Sequence, residues 1–443
     1  MKKLIQIILA FIVFVGCSPQ SENTVNYGTT EFDVDGLKVI HKRVPKEIVS
    51  VRFFINGGTA NYSLEQQGIE NFAFNLAVTG GTDSLDKIAF SSELEKMGTE
   101  INTDSDYDYG QFELRCVKQY WNESWTLFAD AILNPAFDEE QYGILKDQLL
   151  SSIKEEESNP DSKLSRLAMQ NLFEGKNYDK NPIGTEESLN GILLDDIRNY
   201  YESLIVKKNS FMVVVGDIEV EDIKAKVKST LAGISEGQAP NISPQTTWTE
   251  PNHLIEGRDI ATNYIRGNMN APKRASADGV PMLVAMSILR DRLFVEIRTK
   301  RSLSYAPYAG YPSSIVYSPY SMLYVSTTDP KQSIEVLVAE INKLRSEGFL
   351  ESELADKKQT FLTRYYMDQE TMSSQSSALG LDELRGGWEQ SEAFTQLVTD
   401  VTLEDLNRVV KTYTDVINWT YLGIEGQVSE EDLLQPEPIE DSM

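Results

Sequence analysis

Gln67-Gly-Ile-Glu-Asn-Phe-Ala-Phe-Asn-Leu-Ala-Val-Thr-Gly-Gly-Thr82 is the stretch from which the fold can be read. Ile69, Phe72, Ala73, Leu76 and Ala77 follow the i, i+3, i+4, i+7, i+8 rule, which predicts an amphipathic helix with one buried stripe. Asn71 and Asn75 share a neighbouring face. On such a face an H-x-x-E-H pattern would set two imidazoles one turn apart, with a glutamate beside them to take a proton from zinc-bound water. The corresponding positions here read Asn71, Phe74 and Asn75. Amides are poor zinc donors beside neutral imidazoles, and a phenyl ring accepts no proton.

Around this helix lies a chain of 443 residues, 41% hydrophobic, with room for two to four domains at ~100–200 residues each. Met1-Lys2-Lys3, the apolar run Leu4 to Gly16 and Cys17-Ser18 predict a signal peptide over residues 1–16 and a lipidated Cys17. The apolar run falls short of the ~20 residues that span a bilayer. Ser18 is compatible with outer-membrane sorting, so the predicted location is the bacterial envelope, outer membrane facing the periplasm; an ordinary secretory signal before a chance cysteine is the alternative. Only Cys116 remains, so no intrachain disulfide can form. A formal charge of −27 argues against nucleic acid as a partner.

Residues 17–28 read as a tether, 29–236 as an N-terminal domain, 237–252 as a linker with Pro240, Pro244 and Pro251, 253–426 as a C-terminal domain and 427–443 as a loose acidic tail. The second half repeats the plan of the first. Phe137-Asp-Glu-Glu140 has a counterpart in Leu350-Glu-Ser-Glu353, and Leu194-Asp-Asp-Ile197 before Val213-Val-Val-Gly216 is echoed by Leu403-Glu-Asp-Leu406 before Thr420-Tyr-Leu-Gly423. Nearly constant offsets in the same order predict two homologous α+β domains from an internal duplication.

Pro281 to Arg298 predicts a second amphipathic helix, and its basic end continues as Thr299-Lys-Arg-Ser-Leu-Ser-Tyr305. The helix dipole alone accounts for Arg298, Lys300 and Arg301, but not for the tyrosine spacing. Of the two histidines, His41 is predicted at a surface or strand edge and His253 in the linker or the strand after it. Gly233-Ile-Ser-Glu-Gly237 matches G-x-S-x-G, but a helix precedes it and a proline-rich stretch follows, the wrong context for a nucleophile elbow.

Taken together, these segments resemble the insulinase, pitrilysin and mitochondrial processing peptidase family of inverted zinc peptidases over nearly all the chain. Gly68-Ile-Glu-Asn-Phe-Ala-Phe-Asn-Leu76 is similar to the family's G-x-x-H-F-x-E-H-M, and Leu94-Glu-Lys-Met-Gly-Thr-Glu-Ile-Asn102-Thr to its L-E-x-x-G-x-x-x-N-A. The resemblance implies a fold of two α/β-sandwich domains, each an antiparallel-rich sheet covered by helices, forming one half of a clam shell. It implies substrate binding by Arg298, Tyr305 and the strand of Asn102, with Asp147 near the third ligand position. Asn71, Phe74 and Asn75 depart from the pattern at every catalytic position, so no catalytic residue and no metal are assigned to this chain alone. Some members are two-chain enzymes with one degenerate chain. That implies a heterodimer in which a homologous partner bears the zinc, acting on peptide or unfolded polypeptide. The alternative is a stand-alone, non-enzymatic peptide-binding or scaffold lipoprotein; a third, an unorthodox metal site built from Asp147 and other carboxylates, is the least favoured.

Overall fold

The computed structural model describes residues 28–434; the predicted signal, Cys17, nearly all of the tether and the last nine residues lie outside them. Strands β1 (Thr29–Val34), β2 (Leu37–Arg43), β3 (Ile48–Asn56), β4 (Glu100–Ser105), β5 (Tyr109–Val117) and β6 (Ser210–Gly216) form one sheet in the order β1-β2-β6-β3-β5-β4. Its helices are α1 (Ile69–Thr79), α2 (Lys87–Met97), α3 (Trp121–Leu133), α4 (Glu139–Ser158), α5 (Pro160–Phe173), α6 (Glu186–Gly191), α7 (Leu194–Leu204) and α8 (Val220–Thr230). The second sheet, from β7 (His253–Gly257), β8 (Asn263–Asn270), β9 (Tyr308–Gly310), β10 (Tyr320–Thr327) and β11 (Ile417–Gly423), runs β7-β11-β8-β10-β9. With it come α9 (Gly279–Leu293), α10 (Pro330–Glu347), α11 (Glu351–Asp368), α12 (Met372–Arg385), α13 (Glu389–Asp400), α14 (Leu403–Tyr413) and α15 (Glu430–Leu434).

The two sheets are built alike. β2 pairs parallel with β6 as β7 does with β11, and the next three pairings are antiparallel in both. Apart from the extra β1, strand order and direction coincide, as a duplicated unit requires. The α+β class and the helix-covered, antiparallel-rich sheets are those read from the sequence.

Period-two alternation divides each central strand between two cores. Val51, Phe53, Met212 and Val214 face α1, α3 and α7, whereas Phe54, Phe211, Val213 and Val215 face the other way. That opposite face is covered by α12 from the second half, through Met372 and Leu379. In return α5 of the first half lies on the second sheet, with Leu164 and Leu167 against Leu422. Each half therefore lends a helix to the other. This explains why β6 reads as an unbroken apolar run: it is buried on both faces.

A buried polar latch adds to this exchange. Tyr178 Oη donates to both oxygens of Asp108 at 2.5 and 2.6 Å, and the Val316 N–H of the second half donates to the same carboxylate at 2.6 Å. The segment around the prolines has no regular structure, yet Trp248 packs on Phe173 and exchanges backbone hydrogen bonds with the Asn270 side chain.

Two expectations need correction. His41 is neither exposed nor at an edge: β2 lies between β1 and β6, and the imidazole is fully buried. The tail predicted to be loose is docked as far as residue 434, because Val428 and Leu433 enter the second core and Asp432 pairs with Lys331 at 3.0 Å. His253 falls in the first strand after the linker.

Candidate functional site

Helix α1 starts from Gly68, whose φ of 88° lies in the left-handed region, and Gly68 and Gly184 meet backbone to backbone without room for a Cβ. The register sends Ile69, Phe72, Ala73, Leu76 and Ala77 into the core as the periodicity requires. Phe74 is fully buried as well, its ring 4.8 Å from that of Phe112 and edge-on to Tyr201 at 6.3 Å. Asn71 and Asn75 remain half-buried and are bonded to one another: Asn75 Nδ2 donates to the Asn71 backbone oxygen and to Asn71 Oδ1, both at 2.8 Å. Asp147 is exposed on α4, and among the described residues no hydrogen bond or ion pair joins it to either asparagine.

This donor set does not fit zinc. Two neutral amides already bonded to one another and a phenyl ring turned into the core offer neither the charge nor the basicity a zinc site needs. Among the described residues no group of three or more His, Cys, Asp or Glu side chains could hold a metal ion.

One charged residue beside this helix was missed in the sequence. Glu70, in the first turn of α1, is fully buried and accepts hydrogen bonds from Tyr200 Oη at 2.7 Å, Ser105 Oγ at 3.1 Å and Asn61 Nδ2 at 3.2 Å. Burial pushes its carboxyl above the ordinary glutamate range, although these three donors pull the other way. It anchors α1 to β4 and α7. A helix-opening glutamate looks like a favourable dipole contact, so nothing local signalled its burial.

β4 is the edge strand of the first sheet and pairs only with β5. Glu100, Asn102 and Asp104 are exposed along it while alternate residues turn inward. Asn102 thus sits on a strand whose outer edge can accept another chain by backbone pairing.

In the second half α9 passes into a π-helical turn, Phe294–Lys300, and the predicted continuous helix ends early. Lys300 and Arg301 both pair with Glu296, at 2.5 and 2.6 Å. Arg298 does not. Its guanidinium stacks on the Tyr305 ring, 3.9 Å from the centroid, and lies 4.8 Å from that of Phe294. Among the described residues it forms no ion pair and its side chain donates no hydrogen bond, while Tyr305 is 78% exposed. Ser235 follows α8 in an irregular exposed segment, so no strand-turn-helix frames it as a nucleophile.

A duplicated, helix-exchanging α+β unit with an amide-substituted metal helix, a free edge strand and an unpaired Arg–Tyr stack defines a peptidase-like half shell. Residues 38–186 match the family profile described as insulinase (peptidase family M16), and residues 192–361 match that of the peptidase M16 inactive domain. The chain belongs to the insulinase family, peptidase family M16. It is 21% identical over 391 residues to a Helicobacter pylori protein named non-peptidase homolog YmxG, covering 85% of this chain and 89% of that one. A Bacillus subtilis relative, uncharacterized zinc protease YmxG, is 21% identical over 383 residues, with 85% and 92% covered. The fold is shared with a peptidase M16 inactive domain from Pseudomonas fluorescens (TM-score 0.80, 17% identity, 89% of this chain and 98% of that one). It is shared too with a protease from Helicobacter pylori (TM-score 0.81, 16% identity, 89% and 99% covered).

Proposed function

We propose that this chain is the zinc-free subunit of a two-chain peptidase at the bacterial envelope, anchored through a lipid on Cys17. It closes a chamber with a zinc-bearing homologue and contributes Arg298, Tyr305 and the β4 edge around Asn102 to holding a peptide. The observation that carries the reading is the state of Arg298: its basic neighbours share Glu296 as an ion-pair partner, whereas its own donors are unspent. A planar guanidinium can grip a peptide carbonyl through two donors, and a phenol can donate to the oxyanion of a tetrahedral intermediate. Neither task needs a metal on the same chain. The relative named as a non-peptidase homologue supports the same division, as does an α1 face unsuited to zinc.

Purification of the tagged, full-length chain from its own cells, with metal analysis of what accompanies it, tests the proposal. A stoichiometric H-x-x-E-H homologue carrying zinc is the supporting result. A chain that comes down alone yet binds unfolded peptides would replace it with a stand-alone peptide-binding protein.

A further inference from the structure

A cavity of about 870 Å³ opens between α9, α11 and α12, apart from the Arg298–Tyr305 stack and from the α1 face. Five arginines line it against two carboxylates, Asp368 and Asp382, in a chain whose net charge is −27. Arg52 is already held by Glu113 at 2.9 Å, and Arg385 is paired with Asp382 at 2.6 Å. Arg274, Arg290 and Arg364 form no ion pair among the described residues, so the cationic excess is uncompensated within the cavity.

Two of these groups each keep one unmet donor where they stand. Arg385, only 7% exposed at its side chain, has a buried Nε without a hydrogen-bond partner among the described residues, and so does Nη1 of Arg274. Burial first, and then the like charge of Arg385, pulls the Arg274 guanidinium down to about 10. Such buried donors are costly when unpaired. Part of the wall is apolar, with Leu283, Met286, Phe361 and Phe394. An inorganic anion would answer the arginines but leave that wall facing water.

We propose that this cavity binds an organic anion, a carboxylate carried on an apolar body of about dipeptide size. The volume lies within the ~300–1,000 Å³ range of small-ligand sites, and forked guanidinium donors match a carboxylate's two oxygens. A peptide C-terminus and a fatty acid both offer that chemistry.

Calorimetric titration of the purified full-length chain with N-acetyl-Phe-Leu, its C-terminal amide, decanoate and inorganic phosphate tests the site. The free acid should bind at least about tenfold more tightly than the amide and than phosphate, the scale of one charge-assisted hydrogen bond. Decanoate binding alongside or above the dipeptide also supports the site and names the lipid source. Arg290→Gln should weaken the acid about tenfold, and Arg274→Gln should do so without lowering the melting temperature, because it removes a like-charge neighbour of Arg385. Equal affinity for acid and amide, phosphate as tight as the dipeptide, no binding by any probe, or full affinity in a well-folded Arg274→Gln variant would each overturn the proposal.

Discussion

The ring of Phe74 lies over the bare Cα of Gly110: a Cβ at residue 110 would overlap Phe74 Cε2 and come 2.7 Å from Glu70 Oε1. The residue at the general-base position of the family motif is therefore a core side chain, accommodated by a glycine on a neighbouring strand. Gly110→Ala should cost about 1–3 kcal/mol by overpacking, read from urea unfolding. Restoring the motif as Asn71→His, Phe74→Glu, Asn75→His should cost more, because a large apolar side chain is lost and a second carboxylate is buried beside Glu70. A triple variant as stable as the parent, and loaded with zinc, would contradict this account of the helix.

Asp108 makes stability fall as the solution turns alkaline. Burial raises its carboxyl to about 7, above the ordinary aspartate value, against the pull of Tyr178 and the Val316 N–H. A raised acid contributes stability that is complete below its unfolded pKa, roughly 3.9, and lost as pH climbs through the folded value. Between about pH 5 and about pH 8 the parent should lose roughly 2–3 kcal/mol relative to Asp108→Asn. Parallel stability curves for the two proteins would show that the latch is not titrating.

His41 acts at the acid end. Burial lowers its imidazole to about 4, the largest influence on it, and its Nε2 has no hydrogen-bond partner among the described residues. A depressed base contributes stability that is present above its unfolded pKa, roughly 6.5, and lost as pH drops through the folded value. The parent should therefore become about 3 kcal/mol less stable relative to His41→Gln between about pH 7 and about pH 4. Urea titrations at the two pH values measure the difference, and an unchanged gap would mean that His41 is already charged in the fold.

Arg298 and Tyr305 should matter to turnover and not to assembly. With the zinc-bearing partner present, Arg298→Ala and Tyr305→Phe should each lower kcat about 10²–10³-fold, the usual cost of one lost transition-state donor. Complex formation, followed by size-exclusion chromatography, should be unaltered, since Tyr305 is exposed and Arg298 carries no ion pair among the described residues. Wild-type rates from both variants would assign the pair to surface stacking alone.

The α1 stripe, the alternating strands and the loss of the metal-binding side chains were determined by the sequence alone, because each depends on spacing within a few residues, and so was the repeated order of elements, which shows as matching segments at nearly constant offsets. The Asn71–Asn75 pair was legible as a shared face for the same reason. Local pattern could not reveal that β2 is an interior strand, so His41 was misplaced; sheet order joins β2 to β6 across a long stretch of chain. The inward turn of Phe74 over Gly110, the burial of Glu70 under Tyr200, and the trade of α5 for α12 were likewise decided by the tertiary structure. So was the freedom of Arg298: Glu296 can pair with several nearby cations, and the π-helical turn together with the return of the chain at Tyr305 selects Lys300 and Arg301. Periodicity reports which face of an element is apolar, whereas what covers that face, and which polar groups are sealed beneath it, depends on residues far away in the chain.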